Sequence, residues 1–108
     1  MDRYDYSFRI RDFLKANNVG KENGIKAVYL ANTFNISTRT LRKLKQMIVK
    51  DIDARVGSTA KSGYYYAETV DELEHFRNEY KSRIKQFVPT MKAYDVAIKE
   101  FSQMKLVV

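Results

Sequence analysis

Residues 25–50 read IKAVYLANTFNISTRTLRKLKQMIVK, and this stretch predicts two short helices joined by a tight turn. The first helix is indicated by apolar side chains at the i, i+3, i+4 and i+7 positions of one helical face, namely Ala27, Leu30, Ala31 and Phe34. The second helix is indicated by the same kind of spacing at Leu41, Leu44 and Ile48. Because both apolar stripes must be buried, we expect the two helices to pack on a shared core.

The link between the two helices, Phe34-Asn35-Ile36-Ser37, has the chemistry of a sharp turn. Asn35 tolerates the left-handed backbone conformation that such a turn requires. Ser37 is placed as an N-cap, because its hydroxyl can accept a hydrogen bond from an unpaired backbone N–H of the second helix. Phe34 and Ile36 are expected to fill the angle between the helices. The arrangement is that of a helix-turn-helix.

The solvent face of the second helix is basic. With its apolar stripe buried, the helix leaves six polar side chains for solvent: Thr38, Arg39, Arg42, Lys43, Lys45 and Gln46. Residues 37–50 contain no acid, although like charges three or four positions apart destabilise a helix by about 0.2–0.5 kcal/mol per pair. A polyanion removes that repulsion. The pattern therefore favours an anion-binding face over the alternative, a solvated basic face with no partner.

The positive charge is concentrated in the first part of the chain. The net charge is +7, and residues 1–62 carry 13 Lys or Arg against 6 Asp or Glu, whereas residues 63–108 carry 7 of each. The basic part is expected to meet an anion. Cysteine is absent, which excludes disulfides and thiol catalysis, and no apolar run is long enough to span a membrane. Because residues 1–13 lack a secretory pattern, we expect a cytoplasmic protein without a membrane partner.

Further helices and a hairpin are predicted around this stretch. Residues 3–17 are predicted as an amphipathic helix, with Asp2 or Asp5 as its cap. Residues 51–67 predict a β-hairpin whose loop spans residues 57–63, and alternate members of its Tyr-Tyr-Tyr run are expected to face opposite sides. The expected fold class is mainly α with a small β-hairpin.

The order of these elements resembles a known family. Three predicted helices, then V-G-S at 56–58, G-Y-Y at 63–65 and an acidic helix start, resemble the winged helix-turn-helix proteins of bacteriophages and mobile elements. The resemblance covers roughly residues 6–85 and implies a double-stranded DNA partner, with the second helix in the major groove and the hairpin, or wing, beside it. By position it implies DNA contacts from the helix by Thr38, Arg39, Thr40, Arg42 and Lys43, and from the wing by Ser58, Thr59 and Lys61. The basic helix adds Lys45 and Gln46 to this set.

We expect residues 1–68 to form the DNA-binding domain and residues 69–108 a C-terminal helical extension. Thr69 and Glu72 have the spacing of a capping box at the start of that extension. Apolar residues then alternate at spacings of four and three, as in a heptad seam: Tyr80, Ile84, Phe87, Met91, Tyr94, Ile98 and Phe101. Pro89 lies within the seam. It allows either one kinked helix or two helices, and we expect a break or strong kink at 88–89.

The seam favours self-association as a homodimer over its alternative, packing on the chain's own helices.

The leading functional hypothesis is sequence-specific binding of double-stranded DNA by a transcriptional regulator or by a replication or recombination accessory. The alternative is a protein–protein adaptor that docks an acidic partner with the winged helix and the aromatic tail. The sequence leaves open whether the C-terminal helices bind a second protein. His75 is the single histidine, and no catalytic set, metal site or cofactor is predicted.

Overall fold

The structure is a computed structural model that describes residues 2–107, with side chains described for residues 2–104. Its elements, in chain order, are α1 (Arg3–Asn17), a 3-10 turn (Lys21–Asn23), α2 (Ala27–Thr33), α3 (Thr38–Asp51), β1 (Val56–Thr59), β2 (Gly63–Tyr66) and α4 (Val70–Val107). The two strands form one antiparallel sheet. The expectation of a mainly helical fold with a small hairpin is confirmed for these residues.

Helices α1 to α3 and the hairpin enclose the larger of two buried clusters in the described part of the chain. Its buried members are Ile10, Leu14, Leu30, Ala31, Leu41, Leu44, Ile48, Val56, Tyr64 and Tyr66. The apolar faces predicted for the first three helices are therefore the faces that are buried. At the start of α1, the Asp2 carboxylate accepts a hydrogen bond from the backbone N–H of Asp5 at 3.0 Å, so Asp2 is the cap.

The hairpin loop is shorter than predicted. Strands β1 and β2 pair along their full length, which leaves only residues 60–62 in the loop. Residues 57–59 belong to β1, so the longer predicted loop is wrong. Gly57 serves packing instead of a turn, because a side chain there would place its Cβ 2.4 Å from ring atoms of Phe76.

Strand β2 is also paired along its second edge. Tyr64 exchanges backbone hydrogen bonds of 2.7 and 2.9 Å with Ile25. The N–H of Tyr66 donates to the Asn18 carbonyl at 2.8 Å, and its carbonyl accepts from the N–H of Gly20 at 2.9 Å. A two-stranded hairpin alone is marginally stable in water, so these bonds and the buried rings hold it to the helices. The tyrosine between them faces the opposite side, as the alternation predicted.

The chain divides into two compact units, the first ending at Phe76 and the second beginning at Arg77. This boundary lies inside α4. The first turns of α4 belong to the first unit because Phe76 packs on Tyr65, with ring centroids 4.8 Å apart. The carboxylate of Glu72 and the hydroxyl of Thr69 each accept a hydrogen bond from the other residue's backbone N–H, which confirms the capping box.

Helix α4 is continuous across Pro89, so the break expected at 88–89 is not found. Of the two alternatives, the structure has the single helix. A proline within a helix costs about 3 kcal/mol of stability, because it removes one backbone hydrogen bond and its ring crowds the preceding turn. This cost is local, and the helical segments on both sides of Pro89 keep their own backbone hydrogen bonds. None of the helices in the described part of the chain combines the length and apolarity needed to cross a membrane.

Candidate nucleic-acid interface

The turn between α2 and α3 sets the direction of α3. Asn35 has a φ of 54°, the left-handed conformation that the sequence predicted. The Ser37 hydroxyl accepts a hydrogen bond from the backbone N–H of Thr40 at 3.0 Å and so caps α3, also as predicted. Phe34 and Ile36 are partly buried against the core, and Phe34 packs edge-on against Phe13 of α1, with ring centroids 5.6 Å apart.

Helix α3 buries one face and exposes another. Its apolar stripe, Leu41, Leu44 and Ile48, is at most 3% exposed. Between Thr38 and Gln46, four polar residues are exposed and have no side-chain hydrogen bond or ion pair with any other residue that the structure describes: Arg39, Arg42, Lys43 and Gln46. These four residues are called the exposed row below. Thr40 is exposed as well, and its hydroxyl accepts a hydrogen bond from Ser37, whereas Thr38 is half-buried.

Lys45 is not part of that surface. Only 6% of this residue is exposed, so the expectation that it faces solvent is wrong. Its Nζ donates to the Ser58 hydroxyl at 2.9 Å and lies 5.6 Å from the centroid of the Tyr64 ring. Burial of an ammonium group is costly unless other contacts replace its water, and here a hydrogen bond and an aromatic face do so. Lys45 therefore joins α3 to β1.

The three predicted wing residues have different environments. Ser58 is half-buried and accepts the bond from Lys45. Thr59 is buried, and its hydroxyl accepts a hydrogen bond from the N–H of Ser62 at 3.0 Å, which closes the hairpin loop. Lys61 is exposed in that loop. Of these three side chains, only that of Lys61 is directed to solvent.

Asp53 organises the start of the hairpin, a role that sequence reasoning missed. Its carboxylate accepts hydrogen bonds from the hydroxyl of Tyr66 at 2.8 Å, the guanidinium of Arg11 at 3.3 Å and the backbone N–H of Arg55 at 3.0 Å. Burial raises the pKa of Asp53, but these three donors outweigh it and lower the pKa below its ordinary value. The pairing removes this acid from the solvent face of the basic region.

An open cleft lies between the 3-10 turn, the hairpin loop and the start of α4. Its charged lining is mixed in sign: Lys21, Lys26 and Lys61 with Glu22, Glu68, Asp71 and Glu72. Mixed charge favours a polyanion less than the acid-free exposed row does. Within the described residues, no group of three histidine or acidic side chains is placed to hold a metal ion.

The seven seam residues of α4 are all exposed. Tyr80 is 40% exposed, and Ile84, Phe87, Met91, Tyr94, Ile98 and Phe101 are between 63% and 68% exposed. Such a series of large apolar side chains is unusual on a free surface.

Comparison of the chain with protein-family models, with curated proteins and with solved structures gives no match.

Proposed function

We propose that the protein is a winged helix-turn-helix protein that binds double-stranded DNA in a sequence-specific manner, with α3 as its recognition helix. The observation that carries the proposal is the exposed row of α3, which holds three cations and one amide and lies opposite a stripe that is almost completely buried. A helix held in this way can enter the major groove of B-DNA while its other face stays in the core.

The residue types of the exposed row suit the roles that a recognition helix requires. Arg39 and Arg42 carry planar guanidinium groups, which bind guanine edges or phosphate through two hydrogen bonds. Gln46 can pair with adenine, and Lys43 supplies a point charge for phosphate. Thr38, Thr40 and the N-terminal N–H groups of α3 suit a phosphate at the helix start.

The hairpin adds a second basic position. Lys61 lies exposed in the loop, and Lys26, before α2, lines the same cleft as Lys61. Both are placed in this proposal on the sugar–phosphate backbone, where they fix orientation without reading sequence. Such a protein would act in the cytoplasm as a transcriptional regulator or as a replication or recombination accessory of a phage or mobile element.

The test begins with selection of bound duplexes from a random pool. Binding of the selected duplex is then measured as a function of salt. With about five phosphates neutralised, log K should fall against log salt with a slope of roughly −4.5. The triple variant Arg39→Ala, Arg42→Ala, Lys43→Ala should lose retention of the duplex.

A matched control removes the same charge elsewhere. Arg3, Arg9 and Lys15 are exposed on α1, and their triple replacement by Ala should keep specific binding. Equal binding by the α3 variant and the parent chain would refute the proposal. A parent chain that selects no duplex but retains an acidic protein would favour the adaptor hypothesis instead.

A further inference from the structure

The seam of α4 separates side chains by shape as well as by spacing. In heptad notation, its a positions are Ile84, Met91 and Ile98, and its d positions are Tyr80, Phe87, Tyr94 and Phe101. Every a position is therefore aliphatic and every d position is aromatic. All seven residues belong to the unit that begins at Arg77, and all are exposed.

From this pattern we propose that α4 pairs with α4 of a second copy of the chain in the antiparallel direction. In a parallel pair, a faces a and d faces d, so thin aliphatic layers would alternate with thick aromatic layers. In an antiparallel pair, each a residue faces a d residue, and every layer combines one aliphatic side chain with one aromatic ring. Uniform layers keep the axes of two helices at one distance and leave no voids.

Charged neighbours of the seam select one register. When Met91 faces Phe87 of the second copy, the two-fold axis passes near residue 89, and Lys81 lies beside the second copy's Asp95. A shift of this register by one heptad, in one direction or the other, would place Asp95 or Lys81 beside Val88 of the second copy. The attraction between Lys81 and Asp95 would then be lost. Exposed ion pairs add little affinity, but they do select direction and register.

Arg77 gives a second reason for the antiparallel direction. It occupies the a position before the first seam heptad, so a parallel pair would place two guanidinium groups opposite each other. In the antiparallel register Arg77 faces Phe101 of the second copy, where a cation over an aromatic face is attracted.

The position of Pro89 agrees with this arrangement. It is an f position, directed away from the seam, so its ring and its missing N–H lie on the outer side of the helix pair. Long helices curve with their convex side toward solvent, and a proline on that side leaves the seam intact.

The area available is that of a stable interface. Aromatic side chains bury about 150–250 Å² each when fully covered, so about 100 Å² for each of the seven partly exposed seam side chains gives roughly 700 Å² per helix and 1,400 Å² per pair. This value falls within the range of specific protein–protein interfaces, about 1,200–2,000 Å².

The first experiment measures mass by sedimentation of the full chain without DNA, so its result is independent of the proposed function. The parent chain should have twice its 12.7 kDa monomer mass. Ile84→Asp with Ile98→Asp should halve the mass, whereas the matched control Ser82→Asp with Gln103→Asp, at outer f positions, should remain a dimer. A monomeric parent, or an unchanged mass for the Ile84 and Ile98 variant, would overturn the proposal.

The second experiment determines direction. The chain has no cysteine, so a single introduced cysteine reports its own distance from the same position in the second copy. Thr90→Cys lies next to the two-fold axis and should form a disulfide-linked dimer under mild oxidation. In the antiparallel pair, the two Arg77→Cys positions are about 36 Å apart along the helix axis and should remain unlinked. Linking of Arg77→Cys, or failure of Thr90→Cys to link, would overturn the antiparallel arrangement.

Discussion

Lys43 and Lys45 lie on the same helix and carry the same charge, but their environments predict opposite responses to replacement by Met. Lys43 is exposed and belongs to the exposed row, whereas Lys45 is 6% exposed and donates to Ser58. We expect Lys43→Met to change DNA binding and Lys45→Met to change stability. The pair compares identical substitutions, so the environment of each lysine is the only major difference.

The magnitudes follow from these contacts. A lost phosphate contact should reduce the steepness of the salt dependence by about 0.9, and a surface substitution should change stability by at most about 0.5 kcal/mol. At Lys45, loss of a hydrogen bond from a charged group costs about 1.5–3 kcal/mol, and relief of the ammonium's desolvation offsets part of it. We therefore expect a net loss of about 2 kcal/mol and, for a domain of this size, a fall in Tm of about 10 °C.

Two assays separate the effects. Fluorescence anisotropy of a labelled duplex between 50 and 200 mM salt gives the slope, and thermal unfolding followed by circular dichroism gives Tm. Combining Lys45→Met with Ser58→Ala should cost less than the sum of the two single variants, because both remove the same bond. A reduced slope for Lys45→Met, with Tm unchanged, would refute the assignment of Lys45 to the fold.

Substitutions at three other positions test the scaffold of the first unit. Asn35→Gly should keep the urea unfolding midpoint of the parent chain. Asn35→Val should lower the free energy of unfolding by about 1–2 kcal/mol, because β-branched residues avoid a φ of 54°. Equal midpoints for the two variants would contradict this prediction. Gly57→Ala should lower the free energy of unfolding, measured in urea, by about 1–3 kcal/mol, because the alanine Cβ would collide with the Phe76 ring. An unchanged unfolding midpoint would contradict the close packing of Gly57 on Phe76. Burial raises the pKa of Glu72, but hydrogen bonds from three backbone N–H groups outweigh burial and lower this pKa below 4.5. The ionised carboxylate therefore stabilises the fold at pH values above the pKa of Glu72 in the unfolded chain. This stabilisation is lost as the pH falls through the pKa in the folded protein. Glu72→Gln should weaken the acid dependence of the unfolding free energy, and an unaltered pH profile would contradict the role of this carboxylate.

Local chemistry was sufficient to predict the helices of the first unit and their caps. The apolar stripe of α3, its cap at Ser37 and the left-handed turn at Asn35 each depend on a few neighbouring residues. The capping box at Thr69 and Glu72 is of the same kind. Such features are readable because the interacting groups are separated by at most a few positions.

Contacts between distant segments could not be read in this way. The pairing of Tyr66 with residues 18–20 joins segments that carry no alternating pattern of their own. Gly57 lies in a segment whose small and polar residues are typical of a turn. Only the position of the Phe76 ring shows why the strand needs a glycine there. The same limit applies to Asp53, whose partners Arg11 and Tyr66 are distant in sequence.

The burial of Lys45 has a consequence for recognition by α3. A helical face with every lysine exposed would offer one more charge to DNA, but it would lack the hydrogen bond between Lys45 and Ser58 that joins α3 to β1. Because the Lys45 ammonium bonds to Ser58, part of the positive charge instead connects α3 to β1, the strand that leads into the loop of Lys61. A loop held relative to α3 loses less conformational entropy when both bind the same duplex. Under the proposed function, Lys45 therefore contributes by orienting two phosphate-binding elements, without contacting phosphate itself.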